Sequence, residues 1–128
     1  MGNVPKELKY TKDHEWARQQ GAAVVVGVTD HAQEALGDVV YVELPKIGAA
    51  VKAGASFGVI ESTKAVSELF APISGKVVKV NDALVKEPAA VNQDPYKAWI
   101  IEIEPADPKA YAALLDAAAY EKLLASGG

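Results

Sequence analysis

Short runs, either apolar throughout or with apolar and polar residues alternating, recur along the chain as strand candidates: Ala22–Val28, Val39–Leu44, Phe57–Ile60, Ala65–Phe70, Lys76–Val80 and Ala98–Ile103. A period of two marks strands with one covered face, and the Gly, Pro, Asn and Asp residues between the runs supply turns, so the pattern predicts a mostly antiparallel β fold. Helical spacing is confined to short stretches. Thr29 or Asp30 can cap a helix over His31–Leu36, with Gln33 three residues after Asp30 and Gly37 at the exit, and such a helix would cross between sheets. Near the C-terminus, Asp107-Pro108 reads as a cap followed by a first-turn proline, Asp116 as the cap of a second helix, and Leu114, Leu115, Leu123 and Leu124 as their apolar face. A helical segment over 107–126 packed on the β unit is expected, within one domain spanning 1–128.

One motif repeats. Pro45-Lys46-Ile47-Gly48-Ala49-Ala50-Val51-Lys52 returns 27 residues later as Pro72-Ile73-Ser74-Gly75-Lys76-Val77-Val78-Lys79, a P-x-x-G-x-x-V-K pattern. Two similar β units can pack face to face around a pseudo-two-fold axis. Gly54 and Asn81 are also 27 apart, and both residue types tolerate positive φ, which predicts matching tight corners.

Composition narrows the chemistry. A chain of 128 residues, half of them apolar, can bury one core without a metal or disulfides. The formal charge of −4 and the scattered cations, with Arg18 the only arginine, exclude a nucleic-acid stripe. No apolar run approaches the ~20 residues that span a bilayer, and the N-terminal Met1–Glu7 has no signal core, so a cytoplasmic protein without a membrane partner is expected. The absence of cysteine removes thiolate ligands and a cysteine nucleophile, and two histidines are too few for most metal sites.

What stands out chemically is Lys64. It lies in Glu61-Ser62-Thr63-Lys64, a polar patch between two alternating stretches, so it should sit at a hairpin tip with its amine held off the surface for modification. Asp30-His31 looks like part of a catalytic pair but reads better as helix-start capping. No serine is placed to complete a triad.

Leu8-Lys9-Tyr10-Thr11-Lys12-Asp13-His14-Glu15-Trp16, Gly27-Val28-Thr29-Asp30-His31-Ala32-Gln33, Glu61-Ser62-Thr63-Lys64-Ala65 and Ala71-Pro72-Ile73-Ser74-Gly75 occur in that order. With these motifs the chain resembles the glycine cleavage system H-protein family over nearly its whole length. The resemblance implies a flattened antiparallel β-sandwich of the biotinyl/lipoyl-carrier type, a barrel-sandwich hybrid with a short crossing helix and C-terminal helices. It implies lipoate attached covalently to Lys64 and no catalytic residue of the chain's own. The implied partners are the pyridoxal-phosphate glycine decarboxylase that loads an aminomethyl group, the tetrahydrofolate-dependent aminomethyltransferase that removes it, dihydrolipoamide dehydrogenase that reoxidises the dithiol, and a lipoate-attaching enzyme. A shuttle among them works most simply as a monomer.

A lipoyl-lysine places its sulfurs about a dozen bonds from the α-carbon, a reach of about 14 Å at ~1.2 Å per bond. Its aminomethyl cargo is an amine next to sulfur, which water can strip, so shielding would protect it. Glu15 and Glu68 are the candidates for lining a cleft that receives this cationic end, and together with Glu61 they make an acidic patch suited to basic partners. Two other readings stay open. One is a lipoyl or biotinyl carrier of another multienzyme system, against which Thr63 and Ala65 flank the lysine where biotin carriers have methionines and dehydrogenase modules generally have aspartate before it. The other is a non-carrier β-sandwich that binds a protein.

Overall fold

The computed structural model describes residues 3–127; Met1, Gly2 and Gly128 lie outside it, as do those three positions of the expected 1–128 domain. Strands β1 (Lys9–Tyr10), β2 (Glu15–Gln20), β3 (Ala23–Val28), β9 (Ile101–Pro105), β8 (Gly75–Val80) and β5 (Ala50–Val51) form one sheet in that spatial order. A second sheet has the order β4 (Val39–Glu43), β6 (Ser56–Ser62), β7 (Val66–Phe70). All pairings are antiparallel. The sheets face each other across a core of Val24, Val26, Ile101, Ile103 and Val77 from one and Val39, Val42, Ile60 and Leu69 from the other. This is the antiparallel β-sandwich expected, and the sheets do not close into a barrel.

Burial on both faces explains where alternation misleads. In β3, Val24 and Val26 face the sandwich while Val25 joins Leu8, Tyr10, Trp16, Ala117 and Tyr120 in a second core on the opposite face. β2 escapes the period-two reading for the same reason: Trp16 enters the second core and Ala17 the first. The two-residue strands β1 and β5 are too short to carry a pattern, and the last strand begins at Ile101 rather than Ala98.

The helix α1 (Asp30–Leu36) does cross from one sheet to the other, between β3 and β4. Its cap is Thr29, whose Oγ1 accepts from the Ala32 N–H at 3.3 Å. Gly37 leaves it with φ +79°. Two further short helices, α2 (Ala83–Lys86) and α3 (Ala90–Gln93), fill the connection between β8 and β9.

The C-terminal segment differs from a helical pair. Asp107 accepts from the Lys109 N–H at 2.9 Å as a cap would, but only a 3₁₀ turn at Tyr111–Ala113 follows. Leu115 then exchanges backbone hydrogen bonds with Tyr10, at 2.7 and 2.9 Å, and this pairing pulls the chain into an extended conformation where helix was expected. Asp116 caps α4 (Ala117–Ala125), its carboxylate accepting from the Ala119 N–H at 2.8 Å. That helix covers the outer face of the larger sheet. Among the described residues no helix is long and apolar enough to cross a membrane.

The two copies of the repeat pair with each other. Ala50 stands opposite Lys76 and Val51 opposite Gly75, and one register runs on through the Ala71 N–H to Ala55 O bond to Ser56 opposite Phe70. An antiparallel ribbon therefore rises from the edge of the large sheet through β5/β8 and becomes β6/β7 of the small one. The matched corners are absent: Gly54 has φ +81°, whereas Asn81 has no positive φ. Asn81 instead donates its side-chain N–H to Trp99 O at 2.7 Å, so a side-chain bond holds its corner.

Candidate functional site

The tip of the ribbon is Thr63-Lys64-Ala65, one strand position beyond the expected patch, because Glu61 and Ser62 remain in β6. Ser62 replaces the usual Asn-Gly chemistry. Its N–H donates to Ala65 O at 2.8 Å, and its Oγ accepts from the backbone N–H groups of Lys64 and Ala65 at 3.3 and 3.1 Å. Thr63 N–H donates to Asp38 O at 3.0 Å, tying the tip to the exit of α1. Lys64 is exposed. Its aliphatic stem passes over Gly37, where a Cβ would lie 3.1 Å from Lys64 Cε, so the stem leans on the helix exit rather than standing clear of the surface.

Beside the tip lies a cleft of about 420 Å³. One wall is the loop Asp13-His14 and the start of β2 at Glu15; the other is α1, through His31, Ala32, Ala35 and Leu36; Ala65 of the tip and β7 as far as Leu69 close the third side. Val28, Leu36, Ile60 and Leu69 make its interior apolar, which suits an uncharged hydrocarbon arm.

Both acidic candidates line this cleft, in different states. Glu68 is an exposed rim residue of β7. Glu15 is 2% exposed; its Oε1 accepts from Thr11 Oγ1 at 2.7 Å and its Oε2 from the Phe70 N–H at 3.2 Å. These two donors favour the carboxylate, but loss of solvent outweighs them and pushes the group up to about 8. At neutral pH Glu15 is mostly protonated and adds no standing charge to the acidic patch. Glu61 and Glu68 supply its solvent-facing carboxyl groups.

The histidines belong to the site, though neither was a sequence candidate. Their rings lie 4.5 Å apart, tilted by 38°. Burial, and then His31, holds His14 below the usual imidazole range. His14 has φ +67°, the only positive φ at a non-glycine among the described residues. Its N–H donates to Thr11 O at 3.2 Å and its carbonyl accepts from the Thr29 N–H at 3.0 Å. Nothing in sequence marks this conformation except the position of His14 beside a carboxylate that the fold buries. The α1 lining was likewise hidden, since Ala32, Ala35 and Leu36 read as an ordinary apolar helix face.

The arrangement joins an accessible primary amine to an adjacent slot that is apolar along its length and carries a protonatable carboxyl and two imidazoles in its walls. Such a site can be acylated at the lysine and can house the polar end of what the lysine carries.

The family model described as "Glycine cleavage H-protein" matches residues 8–127. Among curated relatives, the glycine cleavage system H protein of Myxococcus xanthus is 68% identical over 123 residues, covering 95% of each chain. That of Klebsiella pneumoniae is 56% identical over 126 residues, covering 97% of this chain and 98% of the other. The crystal structure of a glycine cleavage system H protein from Mycobacterium marinum superposes with a TM-score of 0.86 at 45% identity, covering 95% of this chain and 99% of that one. A match of this extent in sequence, in backbone and in the order of the motifs places the chain in the glycine cleavage H-protein family.

Proposed function

We propose that the protein is a cytoplasmic lipoyl carrier of the glycine cleavage system, with Lys64 as the attachment point and no catalytic residue of its own. The observation that carries this reading is the exposed lysine on a hydrogen-bonded hairpin tip directly beside an apolar cleft. Its proposed partners are the glycine decarboxylase, the aminomethyltransferase, dihydrolipoamide dehydrogenase and a lipoate-attaching enzyme. Held on Lys64, the lipoyl group would supply a dithiolane whose S–S bond opens as one sulfur takes the aminomethyl carbon and the other ends as a thiol.

The chain's own residues hold and shelter. Ser62 and the Asp38 carbonyl fix the tip so that Lys64 is presented in one orientation. Val28, Leu36, Ile60 and Leu69 keep water from the slot, which matters because cargo with nitrogen and sulfur on one carbon is lost to water. Glu15 and Glu68 are proposed to face the amine end. A cation arriving against Glu15 opposes the burial penalty, so the carboxyl gives up its proton to solvent on capture and the ammonium–carboxylate pair forms there.

Mass spectrometry after incubation with lipoate and its ligase tests the attachment: a lipoyl increment mapped to Lys64 is expected, and modification elsewhere or none sinks the reading. Lys64→Arg should abolish glycine–bicarbonate exchange supported by the protein while leaving its circular dichroism intact. Glu15→Gln should hasten release of ammonia from the loaded protein, and an unchanged decay rate would remove Glu15 from the cleft's role.

A further inference from the structure

The hydroxyl of Tyr120 lies 2.7 Å from His14 Nδ1 and 2.8 Å from Thr29 Oγ1. His14 belongs to one wall of the cleft, and Thr29 is the cap of α1, which forms the other. Tyr120 comes from neither. It sits in α4, is fully buried, and stacks on Tyr10 with ring centroids 4.6 Å apart and planes 8° from parallel. Phenylalanine would fill the same space and make the same stack. A buried phenol costs free energy unless its oxygen is partnered, so packing alone does not account for the hydroxyl, and its two partners do.

The backbone conformation of His14 points the same way. A non-glycine residue at φ +67° is strained and persists only where its surroundings over-determine it. Here the surroundings are the Thr11 turn, the Thr29 N–H on the His14 carbonyl, and Tyr120 on the ring. Neighbouring Glu15 takes its direction from this residue. The helix that delivers Tyr120 is itself fixed, by Asp116 at its cap and by the backbone pairing of Leu115 with Tyr10.

We propose that Tyr120 is a positioning residue: its hydroxyl ties the two walls of the cleft together, so this one group, rather than the packing of the C-terminal helix, sets the geometry in which the carried amine is sheltered. This rests on the carrier reading above, and it gives α4 a part in the site in addition to covering the sheet. A displacement of about 1 Å in such a wall is enough to degrade a positioned site.

Tyr120→Phe keeps the stack and removes the hydroxyl. In the unmodified protein, ¹⁵N NMR of His14 should show Nδ1 losing its hydrogen-bonded shift. In the loaded protein, ammonia release should quicken about three- to ten-fold, the size expected for one lost hydrogen bond. Leu124→Ala, which loosens α4 through the second core but leaves the hydroxyl, should lower the melting temperature without changing either readout. The proposal is overturned if Tyr120→Phe decays like the parent while Glu15→Gln decays faster, or if Leu124→Ala reproduces the Tyr120→Phe effect. If Lys64 takes no lipoyl group, or if Glu15→Gln also leaves decay unchanged, it is the carrier or cleft reading that has failed.

Discussion

Glu15 shows how far a residue's environment can depart from what its type suggests. As one letter between His14 and Trp16 it gives no sign of how deeply it is buried. The fold puts Trp16 in one core and Ala17 in the other, which draws the start of β2 inward and leaves Glu15 with two donors and almost no solvent. A group at about 8 in the folded state and near its ordinary value of ~4.3 in the unfolded chain binds more protons when folded between those limits. Stability attributable to it is therefore fully present below about pH 4 and is lost as pH rises towards 8. Glu15→Gln carries no such dependence. The difference in melting temperature between variant and parent should shift in the variant's favour from pH 5 to pH 8, and a constant difference across that range would refute the buried-acid description. The side chain was a sequence candidate by its neighbours alone; its protonation follows from packing that no local pattern encodes.

Among the elements, strands β6, β7 and β8 of the ribbon were legible in outline because they alternate and their turns carry Pro and Gly, whereas β5 was too short to show. The repeat suggests two β units packed face to face; the copies instead pair edge to edge within one ribbon. Its glycines serve different ends: Gly48 has φ +94°, whereas a Cβ on Gly75 would meet Glu104 O in the neighbouring strand. Gly58 in β6 is a third case, since an added Cβ would come within 2.4 Å of Glu43 O in β4. Gly58→Ala should force β4 away from β6 at a cost of about 1–3 kcal/mol, measurable as a lower denaturation midpoint. An unchanged midpoint would mean the two strands are not held at this spacing. The C-terminal helix, by contrast, was only half legible. Asp116 and its cap were readable; the Tyr10–Leu115 pairing that shortened the preceding helix is a contact between residues 105 positions apart.

Across the whole molecule, the formal charge of −4, the exposed Glu68 of the cleft rim and the half-buried Glu61 near the end of β6 give the lysine an acidic surround. Cross-strand register puts Tyr41, Glu61 and Val66 in one row on the outer face of the small sheet, with Tyr41 and Val66 exposed. Tyr41 is thus a surface residue, unlike the fully buried Tyr10 and Trp16. Association with an enzyme that takes the Lys64 arm should slow as salt rises, and Glu61→Lys with Glu68→Lys should flatten that dependence in stopped-flow measurements. A slope unaffected by the double reversal would place docking elsewhere.

The bond from Thr63 to the Asp38 carbonyl means that the shape around Lys64 is not contained in the hairpin that bears it. An enzyme that recognises this shape reads a tertiary address, written jointly by two stretches of chain, and a peptide cut from the ribbon would be missing half of it. On the proposed carrier reading, attachment at Lys64 would follow folding, and the attached group would mark a chain that has reached its native form.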